Sequence, residues 1–254
     1  MRLQLLRHAT LLLDYGQLRV LVDPMLSRAG ALDPVQNAAS TLRIPLVELP
    51  LSDADLLAAL SRLDAALVTH THRDHWDVRA AELLRRDLPI LCQPEDADRL
   101  SAAGFNAVQP VVNALTWRGL TLTRTGGEHG TGEVGRKMGP VSGFVLRAAG
   151  EPVVYLAGDT IWCPAVEAAL AAHQPDIAVV NTGAAQFLSG GPITMPADDV
   201  LRVARARPAL RVIAVHLEAV NHCRLSRAEL RAAAAAAGLE AQIVIPADGE
   251  LLAL

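Results

Sequence analysis

An α/β fold of packed layers is what this chain predicts, and three observations carry the prediction. Short apolar runs that read as buried strands end abruptly in polar, often metal-capable residues. Helical stretches lie between several of those runs, the pattern of helices layered on sheets. At 254 residues and 51% hydrophobic, the chain can bury a sizeable core. One compact domain over residues 1–254 is expected, with no linker, low-complexity tract or heptad repeat to divide it.

The elements follow in order. Leu11 to Leu13, a turn at Asp14-Tyr15-Gly16-Gln17 and Leu18 to Val22 read as a hairpin that stops at Asp23-Pro24. Residues 25–50 have no clear period and carry Pro34, Pro45 and Pro50, so they read as an excursion loop. Ser52 caps a helix expected to end near Leu63. Next come the abrupt strand ends. Ala65 to Val68 runs into Thr69-His70, and Val153 to Ala157 into Gly158-Asp159-Thr160. Ile177 to Val180 runs into Asn181-Thr182-Gly183, Val212 to Val215 into His216, and Ile243 to Ile245 into Pro246-Ala247-Asp248-Gly249. Helices are expected at about 78–86, 95–103, 164–172, 196–206 and 226–237. The last opens on a Ser226/Glu229 capping box and closes at Gly238. Clustered along one rim, the polar strand ends would share one site.

Composition narrows the function. A net charge of −4 gives no basic stripe for phosphate neutralisation, and 3% aromatics give no stacking platform for single strands. Of the 23 basic residues only Lys137 is Lys. Cys92, Cys163 and Cys223 are odd in number and widely spaced, which is neither a disulfide framework nor a zinc knuckle. The apolar start is broken by Gln4, Arg7, His8 and Asp14, so neither a signal peptide nor a spanning helix fits it. A cytoplasmic location is the expectation.

The informative segment is Thr69-His70-Thr71-His72-Arg73-Asp74-His75-Trp76-Asp77, or H-x-H-x-D-H. In extended backbone His70 and His72 point to the same side, so two imidazoles can reach one ion. After a turn, Asp74 and His75 can offer a carboxylate and an imidazole to a second. Such donors suit zinc, manganese or iron better than calcium. The bland reading is a solvated loop in which Asp74 or Asp77 merely caps the next helix.

His70-x-His72-x-Asp74-His75 after a buried strand resembles the signature of the metallo-β-lactamase superfamily. The remaining ligand positions follow in order: His129 in Gly126-Gly127-Glu128-His129-Gly130, Asp159 in Ala157-Gly158-Asp159-Thr160, and His216 in Ala214-Val215-His216. The opening Arg7-His8-Ala9-Thr10 and Leu21-Val22-Asp23-Pro24 resemble the branch of the L-ascorbate-6-phosphate lactonase group and related metal-dependent hydrolases, although Arg7 stands where that branch usually has Gly. The resemblance implies a four-layer αβ/βα sandwich with a dinuclear centre. His70, His72 and His129 would hold one ion, Asp74, His75 and His216 the other, and Asp159 would bridge them. Asp74 and Asp159 would thereby hold a hydroxide shared by ions ~3.5–4 Å apart, a nucleophile at neutral pH. Zinc is the default metal and manganese the alternative. His72 argues against a diiron flavoprotein relative, and the cysteines do not fall at the second-metal ligand position of class B β-lactamases.

Several other residues keep more than one reading. His222 follows the His216 strand as a substrate or proton-transfer residue, as the last metal ligand, or as a helix cap. His8 lines the same mouth or packs under the sheet edge, and His216 has the alternative of a satisfied core histidine. Arg136 and Lys137 form an anion clamp on a glycine-punctuated loop or a solvated charge pair. Trp162 and Cys163 shape the pocket or pack, and His173, late in a helix, is structural. The expected function is a dinuclear hydrolase of a small, anionic ester or lactone. A phosphodiesterase and a non-catalytic sensor or scaffold are the alternatives. The expected partner is a small molecule, not nucleic acid or membrane, with a homo-oligomer left open.

Overall fold

A computed structural model describes every residue from Met1 to Leu254. Fourteen strands form two seven-stranded sheets. The first sheet holds β1 (Arg2–Arg7), β2 (Thr10–Tyr15), β3 (Leu18–Val22), β4 (Ala65–Val68), β5 (Ile90–Cys92), β6 (Val108–Pro110) and, last in the chain, β14 (Leu251–Ala253). The second holds β7 (Ala114–Trp117), β8 (Leu120–Thr125), β9 (Gly143–Arg147), β10 (Val154–Leu156), β11 (Ile177–Asn181), β12 (Arg211–Val215) and β13 (Ile243–Val244). Spatial order is β14-β1-β2-β3-β4-β5-β6 in one sheet and β13-β12-β11-β10-β9-β8-β7 in the other. Seven helices accompany them: α1 (Asp53–Leu60), α2 (Val78–Leu83), α3 (Ala97–Ala102), α4 (Gly132–Met138), α5 (Pro164–His173), α6 (Ala197–Ala206) and α7 (Arg227–Ala236).

Each sheet begins with antiparallel hairpins and continues with parallel strands, from β3 onward in the first and β10 onward in the second. Parallel pairs require crossovers. Helices α1 to α3 supply them on one outer face and α5 to α7 on the other.

Period-two alternation decides which layer each side chain enters. Leu11 and Leu13 of β2, Val20 and Val22 of β3, and Ala65 and Leu67 of β4 join one core with Val154, Leu156, Ile177, Val179, Ile213 and Val215 of the opposite sheet. The intervening Leu12, Leu21, Ala66 and Val68 pack under α1 to α3. Tyr155, Ala178, Val180, Val212 and Ala214 pack under α5 to α7. Three apolar layers between two sheets and two helical faces make the αβ/βα sandwich. A Leu→Ala change in the central layer costs about 2–5 kcal/mol.

Several expected elements are revised. Helix α2 ends at Leu83 because Leu84 returns to extended backbone (ψ 135°). The stretch expected at 95–103 divides into a 3-10 turn at Pro94–Asp96 and α3. Gly132 to Met138, expected as a loop, is helix α4. Strand β1 and the β7–β8–β9 meander are additions to the expected elements. The loop over residues 25–50 lacks helix and strand, with only a Leu32–Ile44 bridge. The buried guanidinium of Arg7 pins it by donating to the carbonyls of Met25, Ser27 and Val47 at 2.7–2.9 Å. The Ser226/Glu229 capping box is formed, with Ser226 N donating to Glu229 Oε2 at 2.8 Å.

Candidate metal centre

The carboxyl ends of β1, β4, β10 and β12 meet at one rim and carry His8, His70, Asp159 and His216. Loops bring His72, Asp74, His75 and His129 to the same place. Three groups of ligand-capable atoms result, each within 4.8 Å: His70, His72 and His129; His8, Asp74, His75 and His216; and His70, His75 and Asp159. Asp159 Oδ2 lies between the first two groups, 3.3 Å from His75 Nε2, 3.5 Å from His129 Nε2 and His216 Nε2, and 3.9 Å from His70 Nε2. Asp74 Oδ2 is 3.7 Å from His216 Nε2 and 3.9 Å from His75 Nε2.

Outer hydrogen bonds aim these groups. Asp23, in left-handed backbone at the end of β3, accepts from Thr69 N at 2.8 Å, Thr69 Oγ1 at 2.7 Å and His75 Nδ1 at 2.9 Å. Thr69 Oγ1 in turn accepts from His70 Nδ1 at 3.1 Å. His129 Nδ1 donates to the Ile193 carbonyl at 2.7 Å, and Asn181 Nδ2 donates to Asp159 Oδ1 at 2.7 Å. With Nδ1 donating outward, His70, His75 and His129 aim Nε2 inward, which is the arrangement of metal-ligating histidines. His72 instead points Nδ1 toward His70 Nε2 at 3.0 Å. Asp77, not Asp74, caps α2, accepting from Ala80 N at 2.7 Å. Two glycines allow the loops to close. Gly130 (φ +93°) has Ile193 where a Cβ would lie at 2.8 Å, and Gly158 (φ +67°) has the Ser142 carbonyl at 2.6 Å.

The donor set fits a divalent metal. Nε2 of His75 and of His216 is buried without a hydrogen-bond partner, a costly state unless a ligand satisfies it. Burial opposes the charge of His75, but Asp159, Asp23 and Asp74 outweigh it and raise its pKa to about 10. His216 is likewise raised against burial by Asp159 and Asp74. Asp74 and Asp159 are held well below the ordinary carboxylate range, where His75 and His216 offset their burial. Positive charge is therefore favoured where an ion would sit. Nitrogen and oxygen donors without thiolate suit transition metals over calcium.

Above this cluster opens a cavity of about 160 Å³, walled by Val35, Arg73, Met138, Phe187 and His222. Arg73 donates to the Pro34 carbonyl at 2.7 Å. The His222 ring stacks on Phe187 at 6.0 Å, and its pKa falls to about 4, chiefly through burial. Asn221 holds the cavity's edge, pairing with both backbone groups of Val35 and donating to the Ser40 carbonyl.

The structure gathers His70, His72, Asp74, His75, His129, Asp159 and His216 into the cluster and puts His222 in the cavity wall. The other candidates fall to the second of their readings or keep a structural one. Arg136 and Lys137 do not reach the cavity, because helix α4 turns both to solvent and Lys137 pairs with Glu133 at 2.7 Å. His8 is fully enclosed behind Asp74 rather than lining the mouth. Cys163 packs behind the second sheet, away from the cavity. His173 lies in the last turn of α5, and its carbonyl accepts from Arg147. Asp23, Asn181 and Asn221 had no assigned role, and their one sequence signal is a polar residue just after an apolar strand or motif. Val35 and Phe187 come from remote loops and Met138 from the end of α4, and none of the three carries a local signal.

Fold and cluster together define a class, the metal-dependent hydrolases of the metallo-β-lactamase fold. The model of the beta-lactamase superfamily domain matches residues 18–217, and the chain belongs to that superfamily. The UPF0173 protein YddR of Bacillus subtilis (strain 168) is 38% identical over 253 residues, covering 98% of each chain. Among solved structures, an isothiocyanate hydrolase from Delia radicum gut bacteria is 38% identical with a TM-score of 0.94, covering 100% of this chain and 99% of that one. A possible metal-dependent hydrolase from Veillonella parvula DSM 2008 is 35% identical with a TM-score of 0.95 over the same shares. No helix is long and apolar enough to cross a membrane.

Proposed function

We propose that the protein is a dinuclear metal-dependent hydrolase of small, uncharged carbon electrophiles, with isothiocyanates the first class to test. The observation that carries this reading is Asp159 Oδ2 lying between two ligand groups, beneath a cavity of about 160 Å³ whose outer wall includes Val35, Met138 and Phe187. His70, His72 and His129 would hold one ion, Asp74, His75 and His216 the other, with Asp159 shared. Two bound divalent ions supply a water nucleophile at neutral pH and Lewis acidity toward the substrate. Zinc suits the imidazole-rich set, and manganese remains compatible with it.

The chain's own residues shape the substrate. The sequence suggested an anionic ester or lactone, yet Arg136 and Lys137 face solvent, which leaves Arg73, donating to the Pro34 carbonyl, as the one arginine or lysine in the cavity wall. Val35, Met138 and Phe187 present apolar surface instead, which favours an uncharged tail. The similarity to an isothiocyanate hydrolase supports the same chemistry. For R–N=C=S, the water oxygen bonds to the central carbon and a proton passes to nitrogen. The C–N bond then breaks, a second proton reaches nitrogen, and the products are R–NH2 and O=C=S. His222 lies beside that path with Nδ1 sealed from solvent, so a proton exchanged with the substrate would reside on Nε2.

The test is turnover by metal-loaded protein on allyl and phenethyl isothiocyanate, beside neutral and anionic esters, lactones and a phosphodiester. Amine release from the isothiocyanates, with ester and lactone rates far lower, is expected. Preference for anionic esters or for the phosphodiester would overturn the substrate class. No turnover of any member would favour the sensor or scaffold reading.

A further inference from the structure

We propose that His8 is a positioning residue whose Nε2–H donates to Asp74 Oδ2 and fixes that carboxylate, rather than a metal ligand or a wall of the substrate cavity. The proposal rests on the dinuclear reading for its metal consequences, but its geometry is independent of that reading. His8 Nε2 lies 3.3 Å from Asp74 Oδ2, while its Nδ1 is buried without a partner.

That pattern is the reverse of the other histidines. His70, His75 and His129 each bond Nδ1 to Thr69, Asp23 or Ile193 and turn Nε2 toward the other ligand-capable atoms. In His8 the only hydrogen-bonded nitrogen is Nε2, and its acceptor is a carboxylate. A buried bare acceptor is tolerated better than a buried orphan N–H, so the proton belongs on Nε2. A protonated Nε2 has no lone pair to give an ion.

The backbone holds the ring in place. His8 has φ 60° and His216 φ 68°, left-handed conformations that a non-glycine residue keeps only where its surroundings enforce them. His216 N donates to the His8 carbonyl at 2.8 Å, and the two rings lie 3.6 Å apart by centroid. One residue thus positions two members of the second ligand group, Asp74 through its ring and His216 through its carbonyl.

Imidazole 15N shifts of the metal-free protein, with His8 identified by its absence in His8→Gln, read the proton's location without any ion. A neutral ring protonated at Nε2 is expected. An Nδ1-protonated or doubly protonated ring overturns the proposal.

Cobalt(II) loading then separates donor from ligand. Gln can still donate through its amide, so His8→Gln should keep the wild-type visible spectrum. His8→Leu should bind the second ion about 10–100-fold more weakly in a chelator competition, as loss of an outer hydrogen bond does. A spectrum altered in His8→Gln as much as in His8→Leu makes His8 a ligand. Unchanged affinity in both variants removes the role altogether. Wild type that takes up fewer than two ions refutes the dinuclear reading instead, and the tautomer measurement still decides His8.

Discussion

Asp23 Oδ2 accepts a hydrogen bond from His75 Nδ1 at 2.9 Å, and neither residue is exposed to solvent. The same carboxylate binds Thr69 through its amide and hydroxyl, and Thr69 steadies His70. One aspartate at the end of β3 therefore orients a ligand in each half of the cluster. Asp23→Ala should weaken metal binding by about 10–100-fold. Zinc competition with a chromophoric chelator checks this, and wild-type affinity in the variant would show that His75 is aimed by other means.

Asp159 stands between the ligand groups, so its loss should be felt by both. Metal content after dialysis against zinc or manganese should be about two ions per chain in wild type and about one or fewer in Asp159→Ala. Elemental analysis gives the count. Two ions retained in the variant would sink the bridging role.

Protons and metal compete for the same nitrogens. His75, raised to about 10 by its three carboxylates against its burial, is a cation in the metal-free protein at neutral pH. Zinc binding at pH 7 should therefore release about one proton or more per chain, seen by titration calorimetry in buffers of different ionisation enthalpy. The same shift contributes to the stability of the metal-free form. A histidine whose folded pKa exceeds its unfolded value of about 6.5 stabilises the fold fully below that value, and loses the contribution as pH rises through about 10. Melting of the metal-free protein should fall over that window and that of the loaded protein much less. Equal alkaline profiles for the two forms would contradict this.

The cavity wall predicts which substitutions matter to substrate. Lys137→Ala, at an exposed residue paired with Glu133, should leave KM unchanged. Phe187→Ala removes apolar wall and His222's stacking partner, and should lower kcat/KM for apolar substrates by roughly tenfold, about the loss of one good apolar contact. Steady-state kinetics on one isothiocyanate series compares them. A larger effect at Lys137 than at Phe187 would restore the anion-clamp reading.

Much of this molecule is readable along the chain because its signals are local. The H-x-H-x-D-H run needs only the direction of neighbouring side chains to suggest a ligand set, and apolar runs ending in His70, Asp159 and His216 mark strand ends. The near-continuous apolar runs of β2, β3, β11 and β12 announce strands buried on both faces. Where contrast is weak the signal fails. Short β7 and β8 interleave threonine and arginine with their leucines, and Gly132 to Met138 looks like a loop although it closes into a helix.

By itself the sequence determined the class of fold and the chemistry available, since residue type and short spacing fix which donors exist and which faces are apolar. Tertiary structure alone decided their partnerships. His8 is sealed against Asp74 because two left-handed turns bring β1 and β12 together. Arg136 and Lys137 are lost to solvent because α4 faces them outward. Val35 joins Met138 and Phe187 in one wall because Asn221 and Arg73 fasten the long loop over the rim. Those are distances between residues remote in sequence, set by how whole layers pack, and no local pattern encodes them.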